Sequence, residues 1–102
     1  MKKVNLKIQE DLHAYLEQAV SANADSEHVI AALKGPTDNS DDEWQLTIIP
    51  KELARKIEDD YESSCYIEAN GKTIFIYPYE KYEELNEKIF TWDDRGVSLS
   101  AN

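Results

Sequence analysis

Leu46-Thr47-Ile48-Ile49-Pro50-Lys51-Glu52-Leu53-Ala54-Arg55-Lys56-Ile57 is the stretch whose reading decides the fold. Trp44, Leu46 and Ile48 alternate with Gln45, Thr47 and Ile49, which is the period of a strand. Pro50 then suits the first turn of a helix, where its missing N–H costs nothing. Leu53, Ala54, Ile57 and Tyr61 recur at helical spacing and predict one buried stripe. Cys65, Ile67 and Ala69 alternate again as one face of a strand. Asn70-Gly71 follows, a strong hairpin signal because a type I′ turn needs positive φ at both positions. Lys72 to Tyr77 returns as a strand, with Ile74 and Ile76 on one face and Thr73, Phe75 and Tyr77 on the other, and Pro78 stops it.

Working outward to the N-terminus, Val4, Leu6 and Ile8 alternate with Asn5 and Lys7 as a single strand. Leu12, Tyr15, Leu16, Ala19 and Val20 then line one helix face, with Glu10 and Asp11 at its favourable N-terminal end. Asp25 or Ser26 suits the cap of a short second helix carrying Val29, Ile30 and Leu33, ended by Gly35-Pro36. Thr37 to Glu43 has no apolar residue and reads as an exposed loop, so any subdomain boundary belongs at residues 36–43. Toward the C-terminus, Tyr82, Leu85, Ile89 and Phe90 predict a last helix seated by Trp92. Asp93-Asp94-Arg95-Gly96 makes a turn, and Val97 and Leu99 a short edge strand. The expected class is α+β: one domain over residues 1–102, a small mainly antiparallel sheet with helices packed on it, in the order β-α-α-β-α-β-β-α-β.

The chain has 102 residues, 21 acidic against 11 basic, and a formal net charge of −10. That balance opposes nucleic-acid binding over the whole surface and suits a basic partner. One cysteine, Cys65, allows no internal disulfide and fits a reducing compartment. No apolar h-region follows Met1-Lys2-Lys3, and no apolar run approaches the roughly 18 residues of a membrane span. The expected location is the cytoplasm, with no membrane partner.

Chemistry-bearing motifs are sparse. His13 and His28 form no ligand pair at metal-site spacing and read as surface histidines. Cys65 lacks a glycine-rich elbow or following helix start and reads as a packed small hydrophobe. The three glycines are too scattered for a phosphate cradle, and the serines sit in no nucleophile motif. The acidic runs lack the alternating oxygens and glycine of a calcium loop. No cofactor, metal or catalytic residue is expected, and a small hydrolase or metal-dependent enzyme is left without motif support. The candidate partner-binding groups are instead Asp38, Asp41, Asp42, Glu43, Glu58, Asp59, Asp60, Glu62, Asp93 and Asp94, with Tyr66 and Tyr77 as aromatic contacts. The competing reading of Tyr66, Phe75 and Tyr77 is cross-strand packing under a helix.

Residues 44–90 resemble the AbrB/SpoVT/MazE group of swapped-hairpin proteins. The likeness lies in the strand, Ile49-Pro50, the helix with Glu52-Leu53-Ala54-Arg55, and the strand–turn–strand around Asn70-Gly71-Lys72. Tyr77-Pro78-Tyr79-Glu80-Lys81-Tyr82-Glu83 is similar to the strand-to-helix passage of the related MraZ proteins. The resemblance implies a homodimer and a role as antitoxin or transcription regulator. Its DNA-binding members carry arginines where this chain has Glu43, Trp44, Gln45 and Thr47, which counts against DNA binding here. Any nucleic-acid contact would fall to Lys2, Lys3, Lys7, Arg55 and Lys56. Lys3-Val4-Asn5-Leu6-Lys7-Ile8 also resembles a ribbon-helix-helix arm, and an N-terminal strand–helix followed by a second helix, in an acidic protein this small, loosely resembles barstar-like inhibitors. The expected function is a non-catalytic acidic binding protein that neutralises a basic toxin or nuclease in the manner of an antitoxin. The alternatives are a monomeric immunity protein, nuclease inhibitor or nucleic-acid mimic, and an AbrB-like regulator.

Overall fold

Asn5 parts the molecule into two sheets. Its N–H donates to Asn86 Oδ1 at 2.8 Å, its side-chain amide donates to Glu87, and its carbonyl accepts the Glu87 N–H at 2.8 Å. The alternating N-terminal run is therefore two strands, β1 (Lys2–Val4) and β2 (Leu6–Ile8), each in a different sheet. The computed structural model describes residues 1–22, 27–36 and 42–102. After β2 come α1 (Glu10–Ala22), β3 (His28–Pro36), β4 (Asp42–Pro50), α2 (Lys51–Tyr61), β5 (Tyr66–Ala69), β6 (Lys72–Tyr77), a 3₁₀ helix (Tyr79–Leu85), β7 (Lys88–Asp93) and β8 (Gly96–Ala101). The class is α+β. The proposed cap at Asp25 or Ser26 and the loop at 37–41 lie outside the described residues.

The larger sheet runs β1-β5-β6-β3-β4 and the smaller β2-β7-β8. Both are mixed rather than mainly antiparallel. β1–β5, β2–β7 and β3–β6 pair in parallel, whereas β3–β4, β5–β6 and β7–β8 are antiparallel. On the side away from Asn5, β8 packs beside β4, so the sheets enclose a common core. That core joins Leu6, Leu12, Leu16, Trp44, Ile76 and Phe90, and α1 contributes Leu12 and Leu16 to it. A second cluster, Ala31, Ile49, Ala54, Cys65 and Phe75, fills the other face of the larger sheet beneath α2.

Two expected helices are not formed. Val29, Ile30 and Leu33 belong to β3, a central strand between β6 and β4. Both of its faces are covered, with Ala31 in one core and Ala32 in the other, so it carries no alternation to distinguish it from a helix. Gly35-Pro36 ends this strand, not a helix. The last helix is replaced by the 3₁₀ turn and by β7, which takes Ile89, Phe90 and Trp92. Glu87, at φ 61°, breaks the run in the left-handed region, where a non-glycine residue is uncommon. Pro50 stands at the start of α2, Asn70 and Gly71 turn at φ 51° and 86°, and β8 is a short end strand, as expected, whereas Tyr15 of the expected α1 face and Leu53 of the expected α2 stripe are exposed. Among the described residues, no helix is long and apolar enough to cross a membrane.

Candidate binding surface

β4 runs directly into α2, and the junction is tied back to the start of β3. The Lys51 N–H donates to the Glu27 carbonyl at 2.8 Å, and Lys51 Nζ lies 3.0 Å from the Glu27 carboxylate. That ammonium, by hydrogen bond and charge, holds the Glu27 carboxyl below its ordinary pKa. Ala54 is the fully buried residue of α2, and Ile57 and Tyr61 pack on the same cluster. The helix closes at Glu62, which adopts φ 57° and donates its N–H to the Asp59 carbonyl. Glycine or asparagine is the usual residue for that conformation, so a glutamate here carries some backbone cost.

The acidic run at the end of α2 divides by role. Glu58 is half-buried and its carboxylate accepts the Cys65 N–H at 3.0 Å, so it fastens the helix to the start of β5. Asp59, Asp60 and Glu62 are exposed, and the last turn holds no basic residue. Carboxylates at the negative end of a helix macrodipole are destabilising rather than helpful. Beside them, the Tyr77 ring meets Tyr61 edge-on at 6.0 Å and is 42 % exposed. Burial and the neighbouring Glu80 carboxylate raise the Tyr61 phenol above its ordinary pKa.

Tyr66 is half-buried and packs edge-on against fully buried Phe75 at 5.4 Å, so the cross-strand packing reading is the one realised there. Burial raises its phenol too, with Glu58 adding to the effect. Asp93 ends β7 and Asp94 stands in the β7–β8 turn, on a different element from the α2 group, and Asp93 accepts the Arg95 N–H. Asp42 and Glu43 lie in β4, and Asp38 and Asp41 fall outside the described residues.

The basic candidates are not gathered into one patch. Lys3 reaches Glu68 at 3.8 Å, and Lys2 lies 5.9 Å over the Tyr82 ring. Lys7 lies in the other sheet, and Arg55 and Lys56 project from α2. His13 is more covered than a surface histidine, with its side chain 15 % exposed and paired to Glu17 at 3.3 Å. His28 opens a strand instead of a helix. Cys65 is buried in the α2 core, on the opposite side of the sheet from Ile67 and Ala69, and burial pushes its thiol pKa up. Among the described residues no group of His, Cys, Asp and Glu is arranged to hold a metal ion.

Sequence reading places Tyr61 on the buried stripe and does not single out Glu80. Tyr61 meets Tyr77 and Glu80 only through the fold, and the local hint is the density of tyrosine around Pro78. Comparison with protein-family models, with curated proteins and with solved structures finds no match.

Proposed function

We propose that this chain is a non-catalytic binding protein that neutralises a basic protein partner through the acidic, tyrosine-edged end of α2. One observation carries the reading: Asp59, Asp60 and Glu62 stand exposed at the negative pole of α2 with no cation in its last turn. The fold gains nothing from charges placed there, whereas an incoming lysine or arginine meets three carboxylates and a helix terminus of matching sign. Tyr77 supplies an exposed aromatic surface beside the charge, a combination enriched at interface hot spots. Glu58 is excluded from the contact because its carboxylate is committed to the Cys65 N–H. Asp93 and Asp94, on a separate hairpin, contribute long-range attraction rather than contact.

A toxin or nuclease with a cationic cleft is the partner class this surface suits. Steering by such a surface weakens as salt shortens the Debye length from about 8 Å at 0.15 M to about 3 Å at 1 M. The test immobilises the chain and its Asp59→Asn/Asp60→Asn/Glu62→Gln variant, and compares the proteins each captures from host lysate at low and high salt. The expected result is a basic protein retained by the native chain at low salt and lost by the variant. Equal capture of the same proteins by both chains would refute the reading.

A further inference from the structure

We propose that a groove between β2 and the β5–β6 turn binds a small organic oxyanion with a compact apolar body. The groove follows from the division of the sheets. β1 runs beside β5 as far as Val4 opposite Ala69, after which β2 leaves to pair with β7. Asn70 spans the parting strands by donating its side-chain amide to the Leu6 carbonyl at 2.8 Å. The strands splay beyond that bond and leave a concavity of about 490 Å³, within the size range of small-molecule sites.

Its lining has two parts. Ile8, Ala69 and Ile89 give its apolar part, and Lys7 of β2 and Lys72 of β6 add two basic residues to the lining. Neither lysine takes part in the ion pairs among the described residues, although acids outnumber bases 21 to 11 in this chain. Gln9 adds a donor. Its Oε1 already accepts the Trp92 N–H at 3.2 Å, so the end left for a ligand is its NH₂. Glu10 is the one carboxylate on the lining and confines the anionic group to the Lys7–Lys72 side. The net charge of −10 repels anions at long range, but screening over about 8 Å at 0.15 M leaves the nearest charges in control. Two cations and an amide donor above an apolar wall match a carboxylate or phosphate monoester on a short hydrocarbon chain. The site is independent of the acidic surface on α2.

Amide chemical-shift titrations by NMR test it, using octanoate, octyl phosphate, octylammonium and acetate as probes. Octanoate or octyl phosphate is expected to move the amides of Lys7, Gln9, Asn70 and Lys72 saturably, and preference between them names the headgroup. Acetate, lacking the hydrocarbon, is expected to bind more weakly, and octylammonium not to bind at this site. Lys7→Gln/Lys72→Gln is expected to weaken oxyanion binding about tenfold or more, and Lys7→Arg/Lys72→Arg to retain it. Both lysines are exposed, so the glutamine variant keeps the native spectrum and remains a fair test. The proposal is overturned by equal affinity for octylammonium, by undiminished binding in the glutamine variant, or by no saturable shift with either oxyanion.

Discussion

Replacing Glu84 tests whether one carboxylate fastens the β3–β4 hairpin to the 3₁₀ helix. Its Oε1 accepts from both Lys34 Nζ and the Trp44 indole N–H, the latter at 3.2 Å. Trp44 is 7 % exposed and belongs to the main core, so its N–H has little access to water when the acceptor is removed. An unsatisfied buried donor costs about 1–3 kcal/mol. The Glu84 side chain is itself 41 % exposed, which screens the ion pair with Lys34 and places the expected loss for Glu84→Ala near about 1–2 kcal/mol. That corresponds to a fall in Tm of roughly 4–16 °C. Glu84→Gln keeps an acceptor for the indole and should lose about half as much. The hydrogen bond from Lys34 holds the Glu84 carboxyl below its ordinary pKa in the folded state. A depressed carboxyl stabilises the fold above its unfolded pKa and loses that contribution as pH falls through the folded value. The stability gap between native chain and Glu84→Gln, measured by urea unfolding across acid pH, should therefore be full near neutrality and close below the ordinary carboxylate range. Equal stability of Glu84→Ala and the native chain at neutral pH, or a gap that widens on acidification, would refute the reasoning.

Four further outcomes rest on particular side chains. Asp60→Asn should raise Tm slightly at low ionic strength and leave it unchanged at high salt, because it removes a charge of the wrong sign from the end of α2; a lower Tm at low salt would show that the carboxylate serves the fold. Phe75→Ala empties the centre of the α2 cluster and should cost about 3–5 kcal/mol by denaturant titration, with Phe75→Leu costing markedly less. Cys65 should resist a thiol reagent until the chain is unfolded: burial first, then the Glu58 and Glu80 charges, raise its pKa above the ordinary thiol value. By the same linkage, the unfolded thiol ionises first, so stability falls as pH rises past that value, and a Cys65→Ser or Cys65→Ala chain should lose this alkaline slope.

The middle of the chain was legible because its signals are local. Pro50, the spacing of Ala54, Ile57 and Tyr61, Asn70-Gly71 and Pro78 each act within a few residues, and each element between them forms where those residues place it, although Leu53 of the expected stripe is left exposed. The flanks were not, because tertiary pairing there overrides spacing. Val29, Ile30 and Leu33 satisfy a helical period as well as they satisfy a strand buried on both sides. The choice is made by β6, whose Phe75, Ile76 and Tyr77 pair in parallel with Ala31, Ala32 and Leu33. Ile89 and Phe90 likewise follow a plausible helical register from Tyr82 and Leu85. The left-handed Glu87 interrupts it, and β2 captures the next residues in parallel.

The same long-range pairings decide what is visible of the sites. Acidic runs are plain in sequence, but only the contact with Cys65 separates Glu58, a fastening group, from Asp59, Asp60 and Glu62, which are turned to solvent. Lys2, Lys3 and Lys7 read together as a basic strand suited to a groove of nucleic acid. Asn5 divides them. Lys2 covers Tyr82 and Lys3 meets Glu68 on the larger sheet, while Lys7 passes to the smaller sheet and faces a groove shared with Lys72. A strand that changes sheets at one residue thus converts a continuous cationic stripe into two structural contacts and one candidate anion site. Periodicity along the chain cannot reveal that conversion, because β5 and β7, which draw the two halves apart, come from the far end of the sequence.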